Sequence, residues 1–267
     1  MKRIFSGLAL LALASQLPLW GYDQSPSYVQ VVPEAIWAAA TGGGTWVTEI
    51  QVTVLGSYNA SLYAYFHYNG GRRGPILINE NLPPYRTIRY NNFLATMHQL
   101  DPGIFEYYGR VGALQLFTAI IPNIAVQAKI VNGNYGKTRP AVSYAEANSV
   151  ALGRPMFIQD LAQHTACRTS VGVFNLNTTE SYTLKFTIYN TYHDIIGSEF
   201  YKTLGPEAFM SFNRFAEAGV GSGMYNNCWL EINAIGGGST NMGVVCFGSG
   251  ANNYTNDTYA LIARPRN

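Results

Sequence analysis

Apolar and polar side chains alternate with a period of two over most of this chain, the spacing that puts successive residues on opposite faces of a β-strand. In residues 45–55 (TWVTEIQVTVL), Trp46, Thr48, Ile50, Val52 and Val54 share one face, and Glu49, Gln51 and Thr53 share the other. Residues 61–68 (SLYAYFHY) repeat the pattern, with Leu62, Ala64 and Phe66 facing a core and Tyr63, Tyr65 and His67 facing away from it. Shorter runs at 28–33 and 76–78 read as strands, and 111–117 with 123–131 reads as a hairpin. Residues 82–93 open on a Pro-Pro turn, continue as a strand and give way to a helical turn over 91–97. No stretch has the length and period of a long helix.

The order then recurs. Residues 166–176 align with 45–55, and 182–190 with 61–68. Residues 228–234 and 241–247 predict a second hairpin about Gly237, and 259–265 a last strand. The stretch 204–215 (LGPEAFMSFNRF) echoes 82–93 (LPPYRTIRYNNF) at Leu82/Leu204, Pro84/Pro206, Asn91/Asn213 and Phe93/Phe215, each pair 122 residues apart, with Tyr90 answering Phe212. Thr48 and Thr169 match at 121. Separate matches at one spacing indicate an internal repeat. Roughly seven short strands per copy predict an all-β fold of two tandem antiparallel β-sandwich units, immunoglobulin-like and related by internal duplication. The expected units are 22–138 and 139–267, with 145–164 as an insertion of the second; one fused sandwich is the alternative.

Composition narrows the setting. The 267 residues are 48% hydrophobic but only 12% charged, with 19 Tyr and 27 Gly. That charged share is about half the usual one and suits an exported β protein better than a helical cytosolic enzyme. Lys2 and Arg3 followed by an apolar run over 4–13 predict a secretory signal within residues 1–21. The run is shorter than the ~20 residues that span a bilayer, so no membrane span is expected in the mature chain. Periplasm, cell surface or medium is the expected location. A net charge of +2 without a long basic run gives no footprint for nucleic acid.

The segment CRTSVGVFNL (167–176), the Leu204-Gly205-Pro206 turn, the Asn213-x-Phe215 step and the close from Tyr259 to Pro265 resemble a repeat of exported bacterial proteins. Those proteins form an uncharacterised family of tandem immunoglobulin-like β-sandwich units. The first copy departs from the pattern, with Val47-Thr48 where the second has Arg168-Thr169. No catalytic residues accompany the family, so the resemblance implies fold and export alone.

Candidate chemistry is sparse. Cys228 and Cys246 fall opposite one another if their strands form the hairpin about Gly237, which would allow a cross-strand disulfide; three buried thiols, with Cys167, are the alternative. The four His are scattered and no Cys-x-x-Cys occurs, so no metal site or other cofactor is expected. A Gly-x-Ser-x-Gly elbow, a phosphate loop and a dinucleotide fingerprint are all missing. His193-Asp194 reads as a solvated turn. Glu49, Glu106, Glu207 and Glu231 are scattered acids on polar faces or near turns. The stripe Tyr63, Tyr65 and His67 stands out, because tyrosines offer rigid stacking area for a glycan or an envelope partner. The second copy has Lys185, Thr187 and Tyr189 there, and packing between the copies is the competing use. These readings point to a non-enzymatic exported binding or structural protein, with a carbohydrate-active or other hydrolase as the alternative.

Overall fold

The computed structural model describes residues 27–40, 43–103, 105–119, 123–143, 149–221, 223–238, 243–255 and 258–265. The expected signal segment lies outside them. Among the described residues the alternating stretches form strands, and the sheets are antiparallel throughout.

The first set comprises β1 (Val29–Ala39), β2 (Thr45–Val54), β3 (Ala60–Tyr68), β4 (Gly71–Leu82), β5 (Thr87–Tyr90), helix α1 (Phe93–Leu100), β6 (Arg110–Thr118), β7 (Ile124–Asn132), β8 (Tyr135–Pro140) and β9 (Val142–Ser143). Its strands lie in two layers, β4-β3-β6-β1 and β5-β2-β7-β8. Inward residues of both layers make one core: Ile50 and Val52 from β2, Leu62 and Phe66 from β3, Leu114 and Leu116 from β6, Val126 and Ala128 from β7. Strand pairing also links the two layers. The end of β1 turns to pair with β2, and β9, just beyond β8, pairs with β1 at Gln30 and Val31.

The second set comprises β10 (Met156–Gln163), β11 (Cys167–Asn175), β12 (Tyr182–Tyr189), β13 (Phe200–Leu204), β14 (Phe209–Phe212), helix α2 (Arg214–Glu217), β15 (Tyr225–Gly237), β16 (Val244–Asn252) and β17 (Thr258–Pro265). Its order is β13-β12-β15-β10-β17-β16-β11-β14. The first set has the same order once β8 and β9 are counted as one crossing strand, the place β17 holds here. Pairing registers agree in detail. Leu82 opposes Ala60 as Leu204 opposes Tyr182. His67 opposes Ala113 as Tyr189 opposes Trp229.

Two local devices recur as well. β1 bulges between Val32 and Ala35, and β10 between Ile158 and Leu161. Beside the first bulge the Thr48 hydroxyl accepts from the Ile36 N–H at 2.7 Å and donates to the Ile36 carbonyl at 3.0 Å. Beside the second, Thr169 does the same for Ala162, at 3.0 and 2.7 Å. The helices start on Asn92 and Asn213, whose side chains accept from backbone N–H groups of the first turn. The cap therefore matches Asn213 with Asn92, not with Asn91 as expected. Phe93 falls on Arg214 and Leu94 on Phe215, because one extra residue separates Tyr90 from its cap.

Three expectations change. Segments 111–117 and 123–131 are not a hairpin: β6 pairs with β1 and β3, while β7 pairs with β2 and β8 in the other layer. β15 and β16 are split in the same way, with Cys228 beside Leu161 on β10 and Cys246 beside Val173 on β11. Layers pack ~10 Å apart, beyond the ~7 Å Cα limit for a disulfide. Cys167, Cys228 and Cys246 are accordingly free thiols. Finally, much of the expected insertion is β10, the counterpart of β1.

The sets meet face to face. Val31 and Ala113, from the outer face of β1 and β6, pack on Phe174, Leu176, Phe209, Val245 and Phe247, from the outer face of β11, β14 and β16. The equivalent face of the first set carries Thr53, Thr87 and Gln127 at the register positions of Phe174, Phe209 and Phe247. Among the described residues that polar face forms no part of a hydrophobic cluster.

Candidate functional site

The stripe Tyr63, Tyr65 and His67 lies at this junction. His67 is fully buried, its ring 4.7 Å from that of Phe174. Its Nδ1 is 3.1 Å from the Glu207 carbonyl oxygen and its Nε2 3.1 Å from the Gln115 side chain. The carbonyl can only accept, so Nδ1 carries the proton of a neutral ring. Burial pulls the imidazole down to about 4, against the two hydrogen bonds that favour its charge. Tyr63 and Tyr65 are half-buried, each stacked on Phe117 at 5.5 Å, and the Arg72 guanidinium lies 4.8 Å over Tyr65. Arg72 also pairs with Glu207 across the junction.

A charged network closes the same interface. Glu34, in the β1 bulge, accepts from Lys137 at 2.9 Å, from Arg139 and from the Ser249 hydroxyl. Arg139 reaches on to the carbonyls of Gly248 and Leu261. Burial works against the Glu34 charge, but Arg139, Lys137 and Ser249 override it and hold the carboxyl at about 2. Burial brings the Lys137 amine down to about 8, against the attraction of Glu34.

The face of the second set that corresponds to this buried one is open. On β10, β12 and β15 the outward positions are Phe157, then Lys185, Thr187 and Tyr189, then Trp229, Glu231 and Asn233. Tyr189 and Trp229 oppose each other, and their rings stack at 4.1 Å and 15°. Phe157 lies 5.4 Å from Trp229, and His193 meets it edge-on at 5.6 Å. The Phe157, Trp229 and His193 rings, together with Gln159 and Glu231, bound an open hollow of about 350 Å³. His193 sits there because its turn is fixed: the Asn190 side chain accepts from the N–H groups of Tyr192 and Asp194, and His193 adopts φ 67. Two acids flank Thr187. Glu199 binds Lys185 at 3.0 Å and the Thr187 hydroxyl at 3.1 Å, contacts that lower its carboxyl. Glu231, opposite Thr187, accepts from Asn233.

The remaining sequence candidates stay apart. Glu49 pairs with Arg89 at 2.7 Å on an outer face of the first set, and Glu207 with Arg72 at the junction. Glu106 precedes β6. Among the described residues no three His, Cys, Asp or Glu side chains gather as a metal site would need. Trp229 is the residue that sequence reasoning passed over. Its signal was present, since it alternates with Cys228 and Leu230, but the expected hairpin gave its face no significance. No protein-family model, curated protein or solved structure matches the chain.

Proposed function

We propose that the chain is a non-enzymatic exported binding protein of two immunoglobulin-like β-sandwich units, copies of one ancestral unit, in which the second presents a saccharide-binding shelf. The shared strand order, the matched registers and the twin threonine clamps support the duplication. The observation that carries the binding reading is the Tyr189–Trp229 stack with Phe157 beside it. Where the first unit has His67 and Ala113, small enough to lie under its neighbour, the second has two large rings, half-buried and facing outward. Flat aromatic area edged by Glu231, Gln159 and His193 suits a pyranose ring, whose C–H face stacks while its hydroxyls reach polar side chains. The acids of this face favour binding over hydrolysis, because Glu199 is engaged by Lys185 and Thr187, and Glu231 by Asn233.

Calorimetric titration with a panel of short oligosaccharides tests this. Trp229→Ala is expected to weaken binding by about tenfold or more, from ~1.5 kcal/mol of stacking, and to leave the melting temperature nearly unchanged. The pair Tyr63→Ala with Tyr65→Ala is expected to leave binding intact and to lower the melting temperature. Absence of saccharide binding, or binding indifferent to Trp229→Ala, overturns the proposal.

A further inference from the structure

A second hollow, of about 240 Å³, opens between the two strand sets over the Glu34 network. Glu34, Lys137 and Ser249 line it from one side, and Arg168, Ser170 and Ser211 from β11 and β14 join them. The charges around it do not balance. Glu34 is the one acid among the described lining residues, and its oxygens already face Lys137, Arg139 and Ser249. Lys137 and Arg139 are 8% and 1% exposed, so the network alone encloses two cations against one anion. Arg168 joins Lys137 on the lining and is bonded to a neutral Asn253 side chain. Behind Thr169 the buried Arg214 donates to the backbone carbonyls of Thr169 and Ala162 and meets no acid in those bonds. Enclosed charge that lacks a counter-charge is costly, and interiors resolve it by pairing. The Thr258 hydroxyl, also on the lining, is shielded from solvent and has no hydrogen-bond partner among the described residues.

We propose that this junction hollow binds a small oxyanion, the carboxylate or phosphate group of a compact metabolite. Arg168 supplies the charge-assisted contact at the wall, and the hydroxyls of Ser170, Ser211 and Thr258 supply neutral donors. Lys137, held by Glu34 and Ser249, adds field without leaving its network. The volume is that of roughly eight waters, enough for phosphate or a short dicarboxylate and too little for a nucleotide. A bound anion would sit between the strand sets, held by donors of the second and facing the Lys137 charge of the first. The site is separate from the Trp229 shelf and does not depend on it.

The test uses the purified chain with inorganic phosphate, succinate or chloride at matched ionic strength, read by melting temperature and by calorimetric titration. Phosphate or succinate is expected to raise the melting temperature beyond chloride, and the preferred one of the two tells a phosphate site from a carboxylate site. Arg168→Gln is expected to weaken that binding by roughly tenfold or more. Ser211→Leu, which fills the hollow and spares the buried network, is expected to remove the response while the protein stays folded. Trp229→Ala is expected to keep it. The proposal fails if chloride matches both oxyanions, or if Arg168→Gln and Ser211→Leu both retain the full response.

Discussion

His67 is a titratable ring fixed in its neutral form between two packed faces. Its carrier strand was legible, since SLYAYFHY alternates plainly, and so was its outward direction. Its burial was not, because the carbonyl that covers it belongs to Glu207, 140 positions away. The consequence is a pH dependence of stability. An unfolded histidine titrates near 6.5, whereas this one is held at about 4 by burial. Between those values the unfolded chain binds the proton and the folded chain does not, so stability falls as pH drops from about 6.5 towards 4. The loss from this ring is on the order of 3 kcal/mol at 1.36 kcal/mol per pH step. Glu34, held at about 2, adds its own loss below about 4.5. Denaturant unfolding at pH 7 and pH 5 is expected to show the His67 loss, and His67→Gln is expected to flatten it. An equal loss in parent and variant contradicts the assignment.

Bulged strands are the elements that pattern reading missed. β10 has the sequence MFIQDLAQ, in which Met156 and Ile158 alternate until Asp160, at φ 59, breaks the period and Leu161 resumes it one position late. The irregularity read as an insertion when it marks a strand. Layer membership was illegible for a different reason. Two strands that face each other across a core alternate just as two hairpin partners do, and only the inter-strand hydrogen bonds tell them apart. The start of α1 was nearly legible, off by one residue at Asn92, whereas the short α2 was not read. The twin clamps at the bulges give a prediction for these elements. Thr48→Val and Thr169→Val keep the shape but leave the Ile36 and Ala162 backbone groups unsatisfied. Each is expected to cost about 1–3 kcal/mol in denaturant unfolding, by a similar amount in the two sets. A neutral effect at both sites would remove the clamps' structural role.

At the scale of the molecule, the junction combines a phenylalanine-rich patch with a buried ion network. Such networks cost little when replaced whole and much when broken. Glu34→Gln strands Lys137 and Arg139 and is expected to destabilise by roughly 3–5 kcal/mol, measured by denaturant melts. Replacing Glu34, Lys137 and Arg139 together by apolar residues of similar size is expected to recover most of that. If the single change is as mild as the triple, the network is not what holds the sets in register. The docking is also directional: the outer β3-β6-β1 face of one set meets the outer β14-β11-β16 face of the next. A contact of that kind joins unlike surfaces, and unless rotation closes a ring it can be repeated without limit. The two outer faces left free here differ from the docked ones. Thr53, Thr87 and Gln127 replace the phenylalanines at one end, and the Trp229 and Tyr189 rings replace Ala113 and His67 at the other. Neither free face repeats the surface that docks the two sets, so among the described residues the junction contact is offered once and not presented again at either side.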